Sequence, residues 1–89
     1  MNNLPLLSKN KKNLNDLKRI DPIVFKDIIR IIHDNGSIRK TPLMGKTNLS
    51  YLRLNSYLNW LEEIGFVHVQ NNHVVLSEHG LKFSSKFAN

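Results

Sequence analysis

Four kinds of stretch in this chain carry residue types whose spacing could do chemistry. Gly45-Lys46-Thr47 ends like the loop G-x-x-x-x-G-K-[ST], whose glycines let backbone amides wrap a phosphate while the lysine reaches the terminal oxygens. That loop needs a first glycine at position 40, where this chain has Lys40, and it follows a buried strand, whereas Pro42 interrupts the segment here. Nucleotide hydrolysis is therefore not expected, and Gly45 is read instead as the residue that permits a turn between two helices. His68 and His73 could face each other across a hairpin, but zinc takes three or four ligands, and no cysteine or carboxylate converges there. His33 and His79 fall on other elements, so neither a metal nor another cofactor is expected. Glu62-Glu63 is not an acid/base pair, because adjacent helical residues point about 100° apart.

What survives is a run of hydrogen-bond donors: Lys46, Thr47, Asn48, Ser50, Tyr51, Arg53, Asn55 and Ser56. All can reach phosphate oxygens, and Arg53 and Asn55 have the side chains that pair bidentately with guanine and adenine. The charge agrees with that chemistry. The 89 residues carry a formal +6; residues 36–59 hold four Lys/Arg and no acid, and residues 1–20 hold five and one. A polyanion suits such a surface, and an acidic protein is the alternative. Lys9, Lys11 and Lys12 lie in residues 1–12, read as a flexible basic arm that gains from counterion release, or else as a solvated tail.

A chain of this length is one domain, here 13–89, with a single core and no room for a separate catalytic domain, so no enzyme is expected. It has no cysteine for disulfides or thiolate metal sites. No apolar run nears the roughly 18 residues of a membrane span, and "MNNLPLLSKNKK" does not have the form of a signal peptide. The expectation is a cytoplasmic protein without membrane contact and with no small-molecule substrate evident.

The donors need elements to position them. Leu14, Leu17 and Ile20 are spaced like one face of a short helix. Asp21-Pro22 starts a clear one, an acceptor for the orphan amides followed by a proline whose missing amide costs nothing there. Val24, Phe25, Ile28, Ile29, Ile31 and Ile32 form its apolar face, and Asn35-Gly36 ends it. Ser37-Ile38-Arg39 reads as a short extended segment. Thr41-Pro42 repeats the start signal for a very short helix through about Gly45, with a tight turn over Gly45 to Asn48. Ser50 caps a third helix, Tyr51 to Ile64, facing inward with Leu54, Tyr57, Leu58, Leu61 and Ile64, and Gly65 stops it. The period then changes to two: Phe66–Gln70 and His73–Leu76 form a hairpin around Asn71-Asn72, with His68, Gln70, Asn71, Asn72 and His73 near its tip. Ser77 caps a last helix from Glu78 to about Phe87, with Leu81, Phe83 and Phe87 on its packing side. Trp60 beside the leucine stripe is open to three readings: packing over the wing, receiving the N-terminal arm, or forming a dimer surface.

This order is that of a winged helix-turn-helix, an α+β fold with a three-helix core, a two-stranded β-hairpin wing, a short third strand near residues 37–39 and a C-terminal helix. "TNLSYLRLNSYLNWLEEIGFV" and "VVLSEHGLKF" add a resemblance. From about Asp21 to Phe87 the chain resembles the small archaeal winged-helix transcriptional regulators, with Leu49-Ser50, Tyr57-Leu58, Leu61, Gly65, Leu76-Ser77 and Gly80 as landmarks in order. The resemblance implies that the third helix enters the DNA major groove and the hairpin touches the backbone or adjacent minor groove. The expected partner is double-stranded DNA, with a homodimer through the last helix as a further expectation. The rival reading is a protein-interaction winged helix in a transcription, replication or chromatin assembly, which the absence of Lys and Arg from the hairpin favours.

Overall fold

The computed structural model describes residues 20–86. The arm with Lys9, Lys11 and Lys12, the helical spacing at Leu14 and Leu17, and Phe87 lie outside the described residues, while Ile20 is half-buried against the core.

Helix α1 spans Pro22–Asn35. The Asp21 carboxylate accepts from the Ile23 amide at 2.8 Å, Pro22 takes the first helical position, and Ile28, Ile29 and Ile32 are fully buried. Strand β1, Ser37–Arg39, buries only Ile38, as alternation on a half-covered sheet requires. It runs directly into α2, Lys40–Thr47. This helix starts one residue before the expected cap Thr41 and continues past Gly45. Two causes are visible: the Lys40 amide is taken by the Asn72 carbonyl at 2.9 Å, and Pro42 sits third in the helix, where its missing N–H is still one of the unpaired first four.

The turn is consequently not made by glycine. Among the described residues only Gly36 and Gly65 are glycines with positive φ, whereas Asn48 lies in the left-handed region at φ 60° and ψ 34°, donating its amide to Met44 at 2.8 Å. Asparagine tolerates that conformation better than other residues with a Cβ. Lys46 and Thr47 therefore belong to the last turn of α2, and Asn48 alone supplies the reversal.

Helix α3, Tyr51–Glu63, begins at Ser50, whose oxygen accepts from the Arg53 amide at 3.2 Å. Leu54, Tyr57, Leu58 and Leu61 are buried, but Ile64 is 37% exposed because the helix ends before it. The end is a Schellman motif: the Phe66 amide donates to Leu61 at 2.8 Å and the Gly65 amide to Glu62 at 3.0 Å, with Gly65 at φ 79°. Strands β2 (Val67–Gln70) and β3 (His73–Leu76) meet at Asn71 and Asn72, φ 51° and 66°, the paired positive values of a two-residue hairpin turn that matches strand twist. The sheet is antiparallel in the order β1-β3-β2, and Ile38, Val74 and Val69 make one inward row.

Helix α4, Glu78–Ser84, is locked by Ser77. The Ser77 hydroxyl donates to the Gly65 carbonyl and accepts from the Gly80 amide at 3.0 Å, while the Ser77 amide donates to the Phe66 carbonyl at 2.9 Å. Phe83 packs inward with its ring 4.9 Å from Phe66 and 5.4 Å from Phe25, but Leu81, expected inside, is 50% exposed. Trp60 meets Phe25 edge-on at 5.3 Å, so it joins the aromatic cluster between α1 and the base of the wing. No helix among the described residues is long and apolar enough to cross a membrane.

Two glycines make opposite predictions. A Cβ on Gly80 would stand 2.1 Å from the Phe66 carbonyl oxygen, which is backbone and cannot step aside, whereas a Cβ on Gly45 meets nothing within 4 Å. Gly80→Ala should cost about 3 kcal/mol, and Gly45→Ala should gain about 0.5–1 kcal/mol from helix propensity. Urea unfolding of the two variants against the parent checks both signs.

Candidate nucleic-acid interface

Thirteen residues make α3 about 20 Å long. Its buried stripe runs through Leu54, Tyr57, Leu58 and Leu61, and at about 100° per residue the line opposite that stripe passes through Leu52, Ser56, Asn59 and Glu63. Tyr51 and Asn55 stand on one flank of that line and Arg53 on the other. Leu52 is 78% exposed, and Ser56, Asn59 and Arg53 are exposed too.

Both flanks are held by neighbours. Asn55, expected as a free base reader, is half-buried, and its carbonyl oxygen accepts from Lys40 Nζ at 3.0 Å. The same ammonium lies 6.0 Å from the centre of the Tyr51 ring, within cation–π reach. On the other flank Arg53 Nη2 donates to Tyr57 Oη at 3.4 Å, with the guanidinium carbon 5.8 Å from that ring's centre. Tyr57 Oη also accepts the Asp21 amide at 2.9 Å, so the start of α1, Tyr57 and Arg53 form one chain of contacts. Around the reversal, Lys46, Asn48 and Ser50 are exposed, whereas Thr47 Oγ1 donates back to Leu43 at 2.7 Å and to Met44 at 3.2 Å inside its own helix.

The wing carries a cation after all, lent by the neighbouring strand. The register sets Arg39 opposite His73 and His73 opposite Gln70 on the outward face, with Ser37, Val75 and His68 as the next row. Arg39 Nε donates to His73 Nε2 at 3.4 Å, and His73 Nδ1 lies 3.3 Å from the Asn71 carbonyl. Both contacts are satisfied by the neutral imidazole with its proton on Nδ1. His68 and His73 are thus diagonal, not facing as the sequence suggested, and no group of three metal-capable side chains exists among the described residues. Asn71 and Asn72 are committed by their backbones to the turn, their side chains exposed at its tip.

The far end of α3 has the opposite character. There an open groove of about 610 Å³ is lined by Ser56, Asn59, Trp60, Glu62, Glu63, Val67 and His68. Positive charge from Lys40 and Arg53 thus lies on the first half of the helix and negative charge from Glu62 and Glu63 at its last turn. The first half also carries the unpaired amides and positive dipole end that favour an anion. Sequence reasoning missed Arg39, Lys40 and Leu52. Arg39 was detectable as the outward neighbour of Ile38, and Leu52 from the 100° geometry, but the Lys40 contact depends on where β1 joins α2.

Residues 18–89 match the family model described as winged helix-turn-helix. No curated protein matches the chain. Among solved structures, ligand-free NadR is similar with a TM-score of 0.70 at 20% identity, over 97% of this chain and 69% of that one. NadR in complex with 4-hydroxyphenylacetate is similar with a TM-score of 0.69 at 19% identity, over 99% and 72%. At such identity the likeness is one of fold.

Because Tyr57 Oη serves both the Asp21 amide and Arg53, Tyr57→Phe should lower stability by about 1 kcal/mol, the usual net worth of a lost hydrogen bond. Denaturant titration checks that figure; an unchanged midpoint would mean that water replaces the hydroxyl without loss.

Proposed function

We propose a role for a chain that belongs to the winged helix-turn-helix family: it binds double-stranded DNA and regulates transcription by occupying its site, without catalysing a reaction. The observation that carries this reading is the placement of Lys40 of α2 against Asn55 and Tyr51 in the N-terminal half of α3, the half that also carries Arg53, within a segment, residues 36–59, that holds four Lys/Arg and no acid. The N-terminal half of α3 enters the major groove. Lys46, Asn48 and Ser50 meet phosphates from the end of α2, the reversal and the cap of α3, Arg53 and Tyr51 meet the backbone or base edges on either flank, and Ser56 reads bases from the outward line. Asn55 acts through Lys40, which it orients, and Thr47 holds the end of α2. At the wing, Arg39 meets a phosphate beside His73, with Gln70, Asn71, Asn72 and His68 on the same hairpin.

The landmarks from Leu49-Ser50 to Gly80 support the small archaeal regulators as relatives, and a DNA-bound regulator works in the cytoplasm. A homodimer through α4 is supported by the exposure of Leu81. A protein-interaction winged helix is favoured by the hairpin's lack of Lys and Arg; the position of Arg39 beside His73 argues against it.

The test is binding to a random-sequence duplex pool across a salt series. About five phosphate contacts give a log–log slope of about −4 to −6. Arg39→Ala and Lys40→Ala should each make the slope shallower by about one unit while weakening all sequences alike. Arg53→Ala should blur the enriched motif. Absence of duplex binding at low salt overturns the reading.

A further inference from the structure

Leu52 is the most exposed large apolar side chain among the described residues, at 78%, and it lies on the line of α3 farthest from the core. The core is complete without it: α3 contributes Leu54, Tyr57, Leu58 and Leu61, and Leu52 is absent from the residues packed against them. Packing therefore does not explain a leucine here. Its neighbours along the outward line are Ser56 and Asn59, about 6 and 10.5 Å farther along the axis. The two side chains that bracket it, Tyr51 and Arg53, are steadied by Lys40 and Tyr57.

Resting on the DNA-binding reading above, we infer that Leu52 is a specificity-determining residue that selects thymine through its C5 methyl group. The methyl is the apolar group that distinguishes thymine in the major groove, and the other features by which the base pairs differ there are donors and acceptors that a leucine leaves unpaired. A leucine in the first turn of a helix also leans toward the N-terminus, the end that carries the basic charge. With Tyr51 and Arg53 on its two flanks, Leu52 faces the floor of the groove. Ser56 then meets the second step along, the steps being about 3.4 Å apart, so the outward line within the N-terminal half of α3 spans about three base pairs.

The experiment uses the full chain and the duplex that it enriches best from a random pool. Each thymine of that duplex is replaced singly by deoxyuridine, which removes the methyl and leaves every hydrogen-bonding group in place. Binding should fall about fourfold, the factor for one buried methyl group, at one position. Leu52→Ala should be indifferent to the same replacement while keeping the parent's salt slope and circular dichroism. Duplex binding in which no uracil position matters, or in which Leu52→Ala still responds, overturns the inference and leaves the DNA-binding reading standing. No enrichment and no duplex binding overturn both.

Discussion

The arrangement of the interface depends on one junction, where the chain leaves α3 and where it enters α4. Ser77 sits there with its hydroxyl shared between the Gly65 carbonyl and the Gly80 amide and its own amide on the Phe66 carbonyl. Gly65 closes α3, and Gly80 lets α4 lie directly on Phe66. A single buried serine therefore ties the C-terminus of α3, the root of β2, the end of β3 and the start of α4 into one rigid body. The direction in which α3 points out of the domain follows from this knot. A helix that must present its opposite end to a partner needs its rear end fixed, because a small angular error there becomes ångströms at the tip.

The front end is organised on a different principle. Few of its polar contacts are buried; they are single hydrogen bonds and ring contacts among exposed or half-buried side chains, each worth about 1 kcal/mol or less. Lys40 leans on Asn55 and Tyr51, Arg53 on Tyr57, and Arg39 on His73. Such contacts limit where the cationic heads wander without consuming their capacity, since a lysine keeps further donors and an arginine has five. The basic groups are pre-positioned yet remain available to phosphate oxygens, which lowers the ordering cost of binding.

Much of this was legible in the sequence because it is written in local rules. Asp21-Pro22, Ser50 and Ser77 each cap the helix expected of them, and Asn71-Asn72 makes the hairpin turn for the reason its backbone preference gives. What local rules could not supply was register and length. The second helix runs from Lys40, ahead of the expected cap Thr41, where the Lys40 amide donates to the carbonyl of Asn72 in the distant hairpin. Gly45 reads as a turn residue from its type alone, but it lies inside a helix that continues to Thr47. Ile64 and Leu81 were placed inside by spacing, but one lies just past the helix end and the other on the outer side of α4. Arg39 was counted as surface charge, since its place beside the wing follows from β1 pairing with β3. In the candidate interface the donors in the run from Lys46 to Ser56 were found, but which of them are engaged by neighbours was visible only in three dimensions.

The length of the outward line on α3 has a consequence for information. On the proposed reading Leu52 and Ser56 span about three base pairs, and a three-letter word recurs by chance roughly every 64 base pairs, against the 10⁶ or more competing positions of a genome. A reader with so small a vocabulary cannot name one address alone. Selectivity on that scale comes from multiplying short readings, whether by several copies on spaced sites or by the shape of the intervening DNA, and each added copy contributes its bits only at a fixed helical phase.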